Sequence, residues 1–309
     1  MPEIWPYATP NSPLRTVSEM VDHSLRPRRS VLYMPAANER ALEKAKTIPA
    51  DALIFDLEDA VSPEAKDLAR ANAVAAAQSG MYGTREVTIR CNGLATPWGI
   101  DDLTAAARSG AAAVVIPKVN SHAYLDEIER LLIRKGAPDE LTIWAMIETP
   151  TAILDIRSIA RHPRVNVLVM GNNDLAKELR TGVLPERSPI VPHLAYALLG
   201  AREAGKVILD GVFNDVNDPY GFVAEARHGK AMGFDGKTLV HPSQVGPANE
   251  VWAPSADEVD FAERVIAAFE QARSEGRGVI TVDGRMIEHL HVENAQRILA
   301  VAAAINALG

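Results

Sequence analysis

TIWAMIETP, residues 142–150, is a nearly continuous apolar run that ends on a glutamate and is then stopped by a proline. Its length and composition predict a buried β-strand over residues 142–148. A carboxylate at the end of such a strand is costly to desolvate unless a cation accompanies it, so Glu148 needs a partner. The rest of the chain therefore has to supply a basic side chain or a metal ion.

Seven further runs of the same kind alternate with alanine-rich segments of helical period. The predicted strands cover residues 30–34, 52–56, 87–90, 113–118, 165–171, 207–211 and 237–242. Nearly unbroken hydrophobicity is typical of strands buried on both faces, and the alternation with helices favours a parallel barrel over a sandwich. We predict an α/β fold, a (β/α)8 TIM barrel over residues 28–249, with an N-terminal arm at 1–27 and a helical segment at 250–309.

Composition and charge narrow the classes of partner. The chain has 309 residues, with 32 Lys and Arg against 40 Asp and Glu, and a net charge of −8, which argues against a general nucleic-acid binder. The single cysteine, Cys91, excludes an intrachain disulfide and a cysteine-rich metal site, and it fits a reducing cytoplasm. The longest apolar stretches are too short or too interrupted to span a bilayer. We therefore expect a cytoplasmic protein with neither nucleic-acid nor membrane partners.

Polar residues end or directly follow seven of the eight predicted strands. In a TIM barrel the chemistry gathers at the carboxyl ends of the strands, where such residues would meet. A structural protein has little reason for this pattern, although each residue alone is unremarkable. The residues are Asp56, Glu58, Asp59, Arg90, Lys118, Glu148, Asp174, Asp210 and His241.

Glu148 and Asp174 end consecutive predicted strands, and neighbouring strands lie about 5 Å apart, so the two carboxylates can share one hard cation. No histidine or cysteine is adjacent to either in sequence. The donor set therefore favours Mg2+, with Mn2+ as an alternative, over zinc. The other interpretation is that each carboxylate caps the following helix or pairs with a base.

A series of motifs in order resembles the HpcH/HpaI aldolase and citrate lyase β-subunit superfamily over about residues 28 to 305. Within it, the chain is similar to the stand-alone CoA ester enzymes, the malyl-CoA lyase and (3S)-malyl-CoA thioesterase group. The motifs are RSVLYMP (29–35), LIFDLEDAV (53–61), IRCNG (89–93), VIPKV (115–119), AMIETP (145–150), GNNDLAKEL (171–179), GFDGKTLVHPSQV (233–245) and VDGRMIE (282–288).

The resemblance implies that Glu148 and Asp174 bind Mg2+ and that Arg90 is catalytic, because its permanently charged fork can hold substrate oxygens as negative charge develops. It also implies that Glu58 and Asp59 orient metal waters and the arginine. The alternative for Arg90 is a structural ion pair with one of these two carboxylates.

Further residues receive roles as well. Asp210 stands at the end of the seventh predicted strand and from that position would hold a metal-bound water, or else cap a helix. The resemblance implies that CoA is bound near Arg29, Lys44, His241 and Pro242, although Lys44 reads equally well as a solvated lysine on a helix face.

Residues 250–309 resemble a lid that completes the active site of a neighbouring subunit, which implies a homotrimer or homohexamer. The lyases carry an aspartate where this chain has Glu288, and the thioesterase-like relatives resemble it in carrying glutamate. The extra methylene moves the carboxylate by about 1 Å, which can cost roughly a hundredfold in a proton transfer to carbon. Glu288 would instead activate water; the alternative is a surface residue of the lid.

The predicted function is Mg2+-dependent hydrolysis of a 3-hydroxy-dicarboxylic acyl-CoA such as (3S)-malyl-CoA to malate and CoA. Three alternatives stay open. They are a malyl-, β-methylmalyl- or citramalyl-CoA lyase, a pyruvate-type class II aldolase, and a non-catalytic subunit that binds a carrier protein.

Overall fold

The computed structural model describes residues 26–182, 186–275 and 280–308. Within these residues, eight parallel strands close into a barrel in sequence order, each paired with the next and the eighth with the first. The predicted TIM barrel is confirmed. The strands are β1 Ser30–Pro35, β2 Ala52–Asp56, β3 Glu86–Arg90, β4 Ala113–Ile116, β5 Thr142–Ile147, β6 Val165–Met170, β7 Val207–Asp210 and β8 Gly236–Leu239.

Helices connect the strands and cover the outside of the barrel, as the alanine-rich segments predicted. They are α1 Glu39–Ala45, α2 Lys66–Gln78, α3 Gly99–Ala106, α4 His122–Arg134, α5 Pro150–Leu154, α6 Ile156–Ala160, α7 Asn172–Leu179, α8 Val191–Glu203, α9 Pro219–Met232 and α10 Val245–Trp252.

Alternation along the strands divides their side chains between two apolar layers. The inner layer fills the barrel. The outer layer, made of the alternate strand residues such as Leu53 and Ile143, packs against the helices. Strands buried on both faces explain why the sequence runs are almost continuously hydrophobic. The inner cluster consists of Val31, Ala52, Ile54, Ala113, Val115, Trp144, Met146, Val167, Val169, Val207 and Leu209.

Several strands end earlier than predicted, and the polar residues lie just beyond them. β4 ends at Ile116, two residues before Lys118, whose backbone has a positive φ of 49° and cannot continue a strand. β5 ends at Ile147 and β6 at Met170. Glu148 and Gly171 therefore belong to the loops at the carboxyl ends of the strands, where the fold gathers its chemistry.

Residues 28–253 form one compact unit, and residues 254–307 belong to another. The second unit contains α11 Ala256–Ser274, a hairpin of β9 Ile280–Val282 and β10 Arg285–Ile287, and α12 His289–Ala307. Ser255 caps α11 reciprocally with Glu258, and Asp283 and Gly284 adopt the positive φ angles of a tight hairpin turn. The role of this unit as a lid for a neighbouring subunit stays a prediction.

Two further expectations concern the N-terminal arm and membrane-spanning helices. Most of the predicted N-terminal arm, residues 1–27, lies outside the described residues. Across the ranges that the structure describes, no helix has both the length and the apolar character needed to cross a bilayer.

Candidate active site

Arg90 and Asp56 form the most tightly bonded pair at the carboxyl ends of the strands. They are the last residues of β3 and β2 and stand side by side in the parallel register. Nε and Nη2 of Arg90 each donate to one oxygen of Asp56 at 2.7 Å. Both side chains are buried. Although burial opposes its charge, Asp56 raises the pKa of Arg90 well above the usual value, so the guanidinium is a fixed cation.

Three more side chains surround the guanidinium. The Tyr33 ring lies 4.8 Å from its Cζ in a cation–π contact, and Nη1 lies 2.8 Å from Glu58 and 3.6 Å from Asp59. The structural ion pair foreseen for Arg90 is thus present, with Asp56 as the main partner. Burial raises the pKa of Glu58 to about 7 even though Arg90 opposes this shift, so Glu58 exchanges a proton near neutral pH.

Glu148 is almost fully buried, and the backbone N–H of Lys118 donates to its Oε1 at 2.7 Å. Burial, followed by repulsion from Glu58, raises the pKa of Glu148 to about 7. A Cβ at Gly171, directly after β6, would overlap the Glu148 side chain. Only glycine leaves room for the carboxylate here.

Asp174 stands in the first turn of α7 and lies 3.8 Å, carboxylate oxygen to ammonium, from Nζ of Lys118. Lys118 therefore contacts both predicted metal ligands. The capping alternative is wrong for both carboxylates, because Thr149 caps α5 and the cap of α7 is Gly171, with no side-chain bond. Pairing with a base, the other alternative, applies to Asp174.

These residues fit a hard divalent cation. The donors are carboxylate oxygens, which Mg2+ and Mn2+ prefer. Glu148 is buried, and its raised pKa shows that the surrounding cations do not compensate its charge. A divalent cation bound between Glu148 and Asp174 would supply the missing charge and answer the question raised by the strand that ends on a glutamate.

Residues 29–242 match the family model described as HpcH/HpaI aldolase/citrate lyase. The chain belongs to this family. It is 47% identical over 287 residues to a (3S)-malyl-CoA thioesterase of Cereibacter sphaeroides, covering 93% of this chain and 99% of that protein. It is 36% identical over 283 residues to citrate lyase subunit beta of Escherichia coli, covering 90% and 94%. The protein is accordingly an enzyme of the citrate lyase β and malyl-CoA thioesterase family.

Two solved structures share the fold. The CitE protein from Mycobacterium tuberculosis, in complex with magnesium, acetoacetate and coenzyme A, aligns with a TM-score of 0.71 at 27% identity, covering 89% of this chain and 97% of that one. RipC from Yersinia pestis aligns with a TM-score of 0.64 at 28% identity, covering 76% and 99%.

Two residues predicted to join the site lie elsewhere in the barrel unit. Arg29 precedes β1 and bonds Asp51, which precedes β2, with nitrogen–oxygen distances of 2.7 and 2.8 Å. This pair is at the amino ends of the strands, so the expected position of Arg29 near the other site residues is corrected. Asp210 ends β7 but follows the inward-facing Leu209, so it faces outward.

Asp210 is fully buried in an ion cluster behind the barrel wall. Its carboxylate lies 2.6 Å from Nη1 of Arg187 and 3.2 Å from Nζ of Lys237, which also contacts Glu225 of α9. These cations lower its pKa although burial opposes them. The predicted position beside a metal-bound water is corrected, and the helix-cap alternative is wrong, because Asp218 caps α9.

The remaining predicted residues are more exposed. Lys44 lies in the last turn of α1 with its side chain in solvent. His241 follows β8, and its Nδ1 accepts the backbone N–H of Ser243 in the turn that Pro242 opens. Glu288 lies in the C-terminal unit, exposed, just before α12. The roles of these four residues stay predictions.

Sequence reasoning gave no role to Tyr33, Asp56, Lys118 or Gly171. Asp56 was recognised as a strand end, and the signal for its pairing was available, because Arg90 ends the neighbouring strand at the same register. Nothing in the sequence around Lys118 indicates its left-handed backbone, because a lysine rarely adopts this conformation.

A second group of possible metal ligands lies away from these residues, where His122, Asp126 and His162 come close together. The hydrogen bonds argue against a metal. Nδ1 of His162 accepts the backbone N–H of Arg164 at 3.2 Å, so in the neutral ring the proton is on Nε2, which faces Asp126 at 3.4 Å. Burial lowers the pKa of His162, which favours the neutral ring. A protonated Nε2 is a hydrogen-bond donor rather than a ligand.

Proposed function

We propose that this protein is a Mg2+-dependent thioesterase that hydrolyses (3S)-malyl-CoA to malate and CoA. The observation that carries the proposal is the arrangement of Glu148 and Asp174 around Lys118, close to the fixed cation of Arg90. This arrangement places two carboxylates that can bind a cation, Glu148 and Asp174, beside a guanidinium that can bind an anion, Arg90. The choice of hydrolysis and of substrate rests on the 47% identity to a (3S)-malyl-CoA thioesterase.

The cation proposed between Glu148 and Asp174 supplies Lewis-acid polarisation of substrate oxygens. Magnesium is favoured by the oxygen donors and by the magnesium present in the related CitE structure, and Mn2+ would serve the same ligands. Glu148 must be ionised to bind it, because a protonated carboxyl group is a poor ligand.

Arg90 holds the substrate. Its Nε and one N–H of Nη2 are committed to Asp56 and one N–H of Nη1 faces Glu58, so the guanidinium cannot rotate, and the remaining N–H groups of Nη1 and Nη2 are directed by the fork. A dicarboxylic acyl group offers carboxylate and thioester oxygens to these donors. The Tyr33 ring fixes the plane of the guanidinium, which makes the donors preorganised for the charge that develops on the thioester oxygen.

Hydrolysis joins a water oxygen to the thioester carbonyl carbon and breaks the bond from that carbon to sulfur. The water loses a proton to a base, and the departing thiolate of CoA takes one up. We propose Glu288 as this base on sequence grounds, because its extra methylene suits water activation better than proton exchange with carbon. Glu58 is a second carboxylate able to exchange a proton at neutral pH.

The CoA moiety is proposed to bind near His241 and Pro242, beyond the carboxyl end of β8, with Lys44 reaching a phosphate from α1. The related CitE structure contains coenzyme A, which supports an acyl-CoA substrate. We further propose a cytoplasmic homotrimer or homohexamer in which the C-terminal unit acts as a lid. Measuring the mass of the purified protein in solution tests the assembly.

A malyl-CoA lyase is the second candidate. It is favoured by the 36% identity to citrate lyase subunit beta, and the same cation and arginine would stabilise the enolate that carbon–carbon cleavage leaves on the thioester. The two reactions give different products from one substrate, since cleavage yields glyoxylate and acetyl-CoA without free thiol.

One incubation separates these functions. Purified protein with Mg2+ and (3S)-malyl-CoA is assayed for free CoA thiol and glyoxylate in the same sample, with EDTA as the control. Thiol without glyoxylate, abolished by EDTA and restored by Mg2+, is expected. Glyoxylate without thiol would replace hydrolysis by the lyase reaction. If neither product forms, both the thioesterase and the lyase proposals are overturned, and the aldolase and carrier-binding alternatives return.

A further inference from the structure

Lys118 has an unusual backbone that is directed at a proposed metal ligand. It follows β4 after Pro117 and adopts a φ of 49°, in the left-handed region that side chains other than glycine rarely occupy. This turn directs its N–H to Oε1 of Glu148 at 2.7 Å, the one hydrogen bond that the described residues give this carboxylate. A strained residue at a cluster of charges points to a function for that residue.

The side chain of the same residue extends to the second ligand. Nζ lies 3.8 Å from Oδ1 of Asp174, with about half of the side chain exposed. A lysine ammonium is charged at neutral pH. The ammonium and a divalent cation would therefore draw on the same negative charge.

We propose that Lys118 is a positioning residue that sets the affinity of the site for its cation. Its backbone orients Glu148, and its ammonium offsets the charge of the two ligands in the metal-free protein and competes with the divalent cation. The inference rests on the proposed cation site. It goes beyond that proposal by assigning one residue two opposing effects, ligand orientation and charge competition.

Substituting Lys118 by methionine separates these effects, because methionine keeps the N–H and the aliphatic stem but removes the charge. Mg2+ binding to EDTA-treated protein is measured by calorimetry, which needs no substrate. Lys118→Met is expected to bind Mg2+ about three- to tenfold more tightly than the wild type. It should also have a lower melting temperature without metal and a larger rise on adding Mg2+.

Two matched variants control for charge and for folding. Lys118→Arg keeps the charge and should stay within about twofold of the wild type. Lys177→Met removes a charge from an exposed side chain of the same helix as Asp174, one to which we assign no role at the site, and should also stay within about twofold. If Lys118→Met does not fold, Lys118→Asn provides a second neutral residue, one that tolerates the left-handed region.

The outcomes separate this inference from the function on which it rests. Wild-type protein that binds Mg2+, with Lys118→Met binding no more tightly, would overturn the role of Lys118 and leave the cation site intact. Wild-type protein that binds no Mg2+ would overturn both. Tighter binding in Lys118→Met and in Lys177→Met alike would also overturn the inference, because the effect would then come from net charge.

Discussion

Two charge clusters of the barrel unit both pair buried carboxylates with a buried arginine, and they differ in the balance of charge. Behind the wall, the carboxylates of Asp210 and Glu225 meet the cations of Arg187 and Lys237. At the carboxyl ends of the strands, Arg90 alone contacts three carboxylates, those of Asp56, Glu58 and Asp59.

The pKa values follow this balance. The cations lower the pKa of Asp210 despite full burial, whereas the pKa values of Glu58 and Glu148 rise to about 7. Burial is common to both clusters and therefore does not identify the active site. An uncompensated negative charge favours the cluster at the carboxyl ends of the strands as the candidate site, because buried carboxylates with raised pKa values are typical of functional sites.

The largest expected effect is on catalysis in the unbalanced cluster. Lys in place of Arg90 keeps one positive charge but loses the two parallel bonds to Asp56 and the fixed donors for substrate. We expect kcat/KM for (3S)-malyl-CoA to fall about 100- to 1,000-fold, as when a preorganised donor is removed. Thiol release measures the rate, and circular dichroism checks folding. A fall of less than tenfold in a folded variant would remove Arg90 from the proposed mechanism.

The balanced cluster should respond in the opposite way. Asp210→Asn leaves the buried cations of Arg187 and Lys237 with less compensation, so the free energy of unfolding should fall by about 3 to 5 kcal/mol. Activity per folded molecule should change less than threefold, because Asp210 faces α9 and not the barrel interior. Denaturant titration combined with thiol release tests both halves. Large loss of activity with unchanged stability would contradict the contrast between the two clusters.

Gly171 tests the cation site itself. Alanine at this position would overlap the side chain of Glu148 and force the carboxylate to move. We expect the affinity for Mg2+ to fall about tenfold, the scale on which groups that orient metal ligands act. Gly246→Ala is the matched control, because a Cβ there meets nothing within 4 Å. Equal Mg2+ affinities in the two variants, measured by calorimetry, would argue against Glu148 as a ligand.

What the sequence predicted and what it did not predict have physical reasons. The eight strands and the position of Glu148 follow from local patterns, the apolar runs and the residues that end them. Side-chain direction needs the strand parity, and Asp210 was assigned from the strand end alone although Leu209 before it faces inward. Arg29 stands before its strand and therefore at the opposite end from the site.

The backbone of Lys118 could not be predicted for another reason. Its left-handed conformation accompanies a hydrogen bond to Glu148, 30 residues further along the chain, and no local sequence pattern encodes such a contact. The bidentate pair of Asp56 and Arg90 likewise depends on strand register.

The smallest expected effect is on the pH dependence of stability without metal. Glu148 and Glu58 have pKa values of about 7 in the folded protein against 4.5 for an unperturbed glutamate. Between these values the folded protein binds more protons than the unfolded chain, so stability falls as the pH rises from about 5 to 7. In Glu148→Gln the free energy of unfolding should fall less over this pH range. In Asp210→Asn the slope of the free energy of unfolding against pH should be the same as in the wild type between pH 5 and 7, because the pKa of Asp210 is lowered rather than raised.

Mg2+ should weaken this dependence by removing the contribution of Glu148. A cation that binds only the ionised Glu148 competes with its proton, so the stabilisation by Mg2+ should grow as the pH rises through about 7 and vanish near pH 5. Melting temperatures with Mg2+ and with EDTA across this range measure it. A stabilisation independent of pH would mean that the cation binds elsewhere, and the unbalanced cluster would then need a different ligand to explain it.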